Sequence, residues 1–157
     1  MPHPDAPDTP DDADAAFTAD DTDTARRLIA EYRALPADSD RKRAIIAELD
    51  ADVTAQPFLV SVVADAGEYD LARVECATLL RLWPPADPGL AHRAGRALLA
   101  ALNDPEEDLV RQYVVLALGP YASDPAVTEA LTAAARADED PLVQVGARSV
   151  LEAVGKA

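Results

Sequence analysis

An all-α chain built as a short, curved α-solenoid of about four helical hairpins is the fold this sequence predicts, on three observations. Alanine and leucine fill about a third of the 157 positions while aromatic residues make up 4%. That mixture suits packed helices better than sheets, which favour β-branched and aromatic residues. Asp-Pro occurs at 87–88, 104–105, 124–125 and 140–141, so alternate pairs lie 37 (87 to 124) and 36 (104 to 140) residues apart. Aspartate is a good N-cap and proline is preferred at the first helical position, so each pair marks a helix start and their spacing marks a two-helix repeat. One apolar stripe of helical period is also written three times along the chain.

Residues 1–22 stand apart as a tail. The first 24 positions hold eight aspartates, no Lys or Arg, and four prolines, with Phe17 the one large apolar side chain. Such a segment cannot offset its ordering entropy by burial and reads as flexible and acidic. It lacks the central glycine and closing glutamate of an EF-hand loop.

Residues 23–157 form the repeat domain. In the leading hairpin (23–54), Asp23 to Leu35 carries Ala25, Leu28, Ile29, Tyr32 and Leu35 on one face. After Pro36, Ser39 or Asp40 caps a helix burying Ile45, Ile46, Leu49 and Val53. Its irregularity is expected of a terminal repeat covering the end of a stack.

The unit 57–83 opens at Pro57 with the stripe Leu59, Val63, Ala66, turns at Gly67, and continues with Ala72, Cys76, Leu79, Leu80 and Trp83. Pro84-Pro85 ends it. In 87–121 the first helix carries Leu90, Ala94, Ala97 and Leu98 and breaks at Asn103. Asp104 with Glu107 fits a capping box for the second, whose stripe is Val110, Val114, Ala117, Leu118 and Tyr121. Gly119-Pro120 marks its end. In 124–155, Val127, Leu131, Ala134 and Ala135 precede a break around Asp138, and Val143, Ala147, Val150, Leu151 and Val154 follow.

Leu109-Val110-Arg111, then Val114, then Ala117-Leu118-Gly119 resembles the second helix of a bacterial HEAT-like repeat: Val-Arg, two residues, Ala, two residues, Ala-Leu-Gly. Ala72-Arg73 with Cys76 and Leu79-Leu80 is similar to it more loosely, and Val143-Gln144 with Ala147 and Val150-Leu151 keeps the frame without the arginine. The resemblance covers residues 57–155 and implies an armadillo-type, right-handed all-helical superhelix used mainly to bind other proteins, with occasional enzymes among its relatives.

Composition excludes several functions. A net charge of -15 opposes duplex nucleic-acid binding, which needs positive charge to displace counterions, and equally a nucleic-acid groove on the repeats. The single cysteine excludes an internal disulfide framework and a multi-cysteine zinc site. No apolar run approaches the roughly 18 residues of a membrane span, and the Asp/Pro-rich start is unlike a signal peptide. A cytoplasmic, monomeric protein without cofactor, metal or membrane partner is the expectation.

Catalytic chemistry is not legible either. His3 lies in the tail, and His92 points off the core stripe with Pro88, Gly89, Gly95 and Arg96 as its helical neighbours, so it reads as a solvated histidine. Cys76 aligns with Val114 and Ala147 and reads as a buried thiol. There is no phosphate loop, Ser-His-Asp set or His/Cys ligand spacing, so a non-enzyme is expected.

Two clusters are candidate partner-binding residues. Arg73 and Arg111 are aligned, each three residues after an aspartate, Asp70 and Asp108. They form either a ligand site for a carboxylate or phosphate, or the aspartate–arginine ladder between units that the HEAT-like resemblance implies. The second cluster is Asp65, Glu68, Tyr69, Asp70 and Glu75 around the Gly67 turn. Its acids either favour the helix dipole or surround Tyr69 as an anchor for a basic partner. The runs Asp104 to Asp108 (with Glu106 and Glu107) and Asp138 to Asp140 extend the acidic rim, while Arg41-Lys42-Arg43 reads as a solvated helix face. The expected function is a non-enzymatic scaffold or adaptor binding a basic protein partner through an acidic surface. The alternatives are an immunity protein that neutralises a basic toxin such as a nuclease, and a HEAT-like lyase or lyase partner.

Overall fold

The computed structural model of the chain describes residues 12–155, with side chains from residue 21 onward. Eight α-helices and no strand occur among them: α1 (Asp12–Ala34), α2 (Arg41–Glu48), α3 (Gln56–Ala64), α4 (Asp70–Leu82), α5 (Pro88–Leu102), α6 (Asp108–Ala117), α7 (Pro125–Ala137) and α8 (Pro141–Gly155). Short 3-10 turns occupy Val53–Ala55 and Gly119–Tyr121. The all-α class expected from composition and periodicity is what the chain adopts.

The helices pair in sequence order as α1/α2, α3/α4, α5/α6 and α7/α8. Across pairs, α2, α4, α6 and α8 each pack on the next, as do α3, α5 and α7. Tyr32 on α1 meets Phe58 on α3 edge-to-face, centroids 5.0 Å apart. The repeated stripe lies between the rows: Ala72, Cys76, Leu80, Val110, Val114, Ala117, Leu118, Val143 and Ala147 are all fully buried. Tyr121, just past α6, keeps its place in the stripe and donates its hydroxyl to Leu80 O at 2.8 Å. Gly146 lets α8 close on α6, because a Cβ there would stand 2.7 Å from Val115 Cγ1.

Three of the four Asp-Pro pairs start helices. Asp87 accepts from Leu90 N, Asp124 from Ala126 N and Asp140 from Leu142 N. Asp104-Pro105 does not, and the expected capping box is absent. Asp104 Oδ1 accepts from Glu106 N at 3.1 Å, closing a tight turn, and its other oxygen is taken by Arg73. The helix therefore begins at Asp108, with Glu107 at the N-cap position and no side-chain cap bond.

Other expectations are corrected at element ends, where packing overrides period. α1 reaches back to Asp12, so residues 12–22, assigned to the tail, are helical; Ala13, Ala15, Ala16 and Ala19 are strong helix formers, and early aspartates favour the dipole. The rest of that tail, residues 1–11, lies outside the described residues, as does His3. Val53 is 66% exposed because α2 stops at Glu48 and Ala51, at φ 58°, turns the chain away from the helical frame. Ala66 is exposed beyond the end of α3. Trp83 is half exposed: α4 ends at Leu82, and the following Pro84 keeps Trp83 out of the helical region, at φ −129° and ψ 70°. Its indole N–H donates to Asp50 Oδ1 at 2.9 Å. Val154 is exposed in the last turn of α8.

Candidate functional site

The second helices of successive units bring their N-terminal ends to one edge, and the candidate residues gather there. Arg73, in the first turn of α4, is 2% exposed. Its Nε and Nη2 donate to Val63 O at 3.3 and 3.2 Å, and Nη1 pairs with Asp104 of the next unit at 3.1 Å. Arg111 repeats the arrangement in α6: Nε donates to Leu102 O at 3.3 Å, Nη1 pairs with Asp108 at 3.1 Å, and Nη2 pairs with Asp138 of the following unit. Where the third arginine would stand, Gln144 Nε2 donates to Asp138 O at 2.7 Å. Each arginine ties its own hairpin turn to the carboxylate of the next hairpin. The ladder reading fits this geometry. The ligand-site reading does not, because both guanidinium groups are buried and their donors are engaged.

Electrostatics follow from these contacts. Asp104 titrates below the ordinary carboxylate value, held down by the Glu106 N–H and, against its burial, by Arg73. Hydrogen bonding to Asp138 raises Arg111 against the cost of its burial.

At the Gly67 turn the expected solvent-facing rim is largely occupied. Lys42, buried on α2, donates to Glu68 Oε1 at 2.6 Å and lies 4.8 Å from the Tyr32 ring centre. Arg43 pairs with Glu75 at 2.7 Å. Arg41 bridges Glu31 at 2.7 Å and also pairs with Glu48. Arg41 and Arg43 stay partly exposed as expected, but Lys42 is buried and the run clamps α2 onto α1 and α4. Its spacing hides this, since successive helical residues point about 100° apart and three in a row face three directions. Tyr69 is half-buried, its hydroxyl donating to Asp40 Oδ1 at 3.3 Å. Asp70 Oδ1 accepts from Leu71 N at the start of α4, a helix-dipole role. Glu107 is half-buried and in no ion pair among the described residues.

Burial tends to raise the Glu68 carboxyl, but the Lys42 hydrogen bond and the Tyr69 N–H outweigh it, so it titrates below 4.5. A carboxylate lowered by folding contributes stability that is complete above its unfolded value and is lost as pH falls through the folded one. With Glu68 below 4.5 and Asp104 below 3.8, stability should decline as pH drops under about 4.5. Glu68→Gln should flatten the first part of that decline in urea titrations run across the acid range. An unchanged pH profile in the variant would refute the role of the Lys42–Glu68 pair.

Cys76 is fully buried and its thiol is pushed up by that burial, so the thiolate needed for nucleophilic attack is disfavoured. His92 is exposed on α5, its Nδ1 3.9 Å from Asp124 Oδ2 beside a groove of about 490 Å³ that also holds Tyr121 and Ser123. Asp124 is already committed to capping α7. No group of three or more metal-ligating side chains occurs among the described residues, and no helix among them is long and apolar enough to cross a membrane.

The edge retains acids that no cation among the described residues answers. Glu106, Glu107 and Glu139 form no ion pair among the described residues, and Asp140 accepts only from Gln112 Nε2 and backbone N–H groups at the start of α8. Beside them is a feature the sequence reading passed over. Leu71, Leu109 and Leu142 each immediately precede a core residue of the repeated stripe, and Leu109 and Leu142 face solvent. The repeated leucine one position ahead of Ala72, Val110 and Val143 was the signal for it.

No family model, no curated protein and no solved structure matches the chain.

Proposed function

We propose that the protein is a non-enzymatic interaction scaffold of HEAT-like type that binds a basic protein partner through its acidic surface. The observation that carries this reading is the row of unanswered carboxylates, Glu106, Glu107 and Glu139, along one edge of a chain with net charge -15. After Lys42, Arg43, Arg73 and Arg111 have taken their partners, this edge still lacks compensating positive charge. Such a field steers oppositely charged proteins together and makes association depend on salt.

The arginines enter this function as supports. By locking each hairpin to the next they hold the edge in register. Of the expected acidic residues Glu68 and Glu75 are paired and Asp70 accepts from Leu71 N, so the proposed binding residues are Glu107 with Glu106 and Glu139. Affinity capture from cells with the full chain, repeated at about 50 mM and about 300 mM salt, tests the reading. The expected result is a direct, saturable protein partner of basic surface whose association slows at the higher salt. Capture of nucleic acid, or binding indifferent to salt, would overturn it.

A further inference from the structure

The geometry points to the N-terminal halves of α6 and α8 as a docking surface for a basic amphipathic helix of a partner protein. This deepens the proposed function by giving the acidic edge a defined seat and its ligand a defined chemistry. Leu109 and Tyr113 lie one turn apart on α6, 37% and 44% exposed, and Leu142 and Val145 lie one turn apart on α8, 61% and 57% exposed. α6 and α8 pack against each other, drawn close at Gly146 against Val115 and Leu116. Four large apolar side chains therefore share adjoining turns of neighbouring helices.

The charge around them selects the occupant. Glu106, Glu107 and Asp108 immediately precede or open α6, and Glu139 and Asp140 immediately precede α8. Arg111 is buried and holds Asp108 and Asp138, and Arg148, one turn beyond Val145 on α8, donates to Ala135 O and Gln144 Oε1. An apolar strip bordered by carboxylates matches a helix with leucine-like residues on one face and lysines or arginines flanking them, docked by its i, i+3 and i+4 positions. A second copy of this chain would bring the same carboxylates against themselves, with -15 on each partner.

The probes are three synthetic peptides of the same length: a Leu/Lys amphipathic helix, its Leu/Glu counterpart, and a Lys peptide with the leucines replaced by glutamine. Each is titrated into the full chain and followed by amide chemical shifts and calorimetry. The Leu/Lys peptide should bind at least about tenfold more tightly than either control, with shifts centred on α6 and α8. Leu142→Ser with Val145→Ser should weaken it about tenfold without changing the unfolding midpoint, since both residues are more than half exposed.

Binding of the Leu/Lys peptide that maps elsewhere, or that ignores these substitutions, would overturn this surface and leave the acidic-scaffold reading standing. Equal binding of the Leu/Glu peptide would overturn both. Self-association in sedimentation that the double substitution abolishes would assign the strip to a second copy and reject the basic helix.

Discussion

Replacing Arg73 with alanine should lower the free energy of unfolding by about 3–5 kcal/mol, the range for removing one partner of a buried ion pair. The side chain is 2% exposed, and its loss strands both Val63 O, which accepts from two of its nitrogens, and the Asp104 carboxylate of the next hairpin. It also leaves a guanidinium-sized cavity between α4 and the α3–α4 turn. Arg73→Lys keeps the charge but cannot make the forked contact, so it should recover only part of the loss. Asp104→Asn should cost less, because the amide oxygen can still accept from Arg73 Nη1 and only the charge of the pair is lost. Urea unfolding of the three variants checks this order. A change below about 1 kcal/mol in the alanine variant would show that the ladder is incidental to stability. If that variant is too unstable to measure, the order of the Lys and Asn variants decides the matter.

Leu118→Ala should cost about 2–5 kcal/mol. Leu118 is fully buried at the end of α6, between the two rows of helices in an interior unit, where neighbours on every side limit collapse into the space it leaves. The control is Leu142→Ala, the same chemical change at a site 61% exposed, expected to fall within about 0.5 kcal/mol of the parent. The contrast separates burial from side-chain type. Equal midpoints for the two variants would mean that the repeated stripe is not the core.

Elements governed by their own neighbours were legible in advance. The Asp87, Asp124 and Asp140 caps, the breaks at Asn103 and Asp138, and the stripe from Ala72 to Val150 are properties of a few consecutive residues and one helical period. Errors collected where a second element competes for the same group. Asp104 has the sequence of an N-cap, yet Arg73, 31 residues earlier, takes one of its oxygens and the helix starts four positions later. Trp83 has the period of a core residue but lies where proline ends the helix.

The candidate site was legible as composition and not as geometry. Its acids around Gly67 and its aligned arginines were visible; which of them face solvent was not. Arg41, Lys42 and Arg43 look alike in a row of charges, yet one bridges α1 to α2, one is buried against Glu68 and one reaches Glu75.

Helix content, the three Asp-Pro helix starts at Asp87, Asp124 and Asp140, the core stripe and the acidic excess follow from residues read in order, because propensity, capping and amphipathic period act over a turn or two. The closed arginine ladder, the clamp of α2 onto α4 and the uncovered strip on α6 and α8 were settled only when the hairpins packed. Their contacts join side chains 26 to 32 positions apart, and at that separation no local rule ranks one carboxylate above another as the partner of a given cation. Proximity in the folded stack makes that choice, and the charges left unpaired are the ones the surface presents.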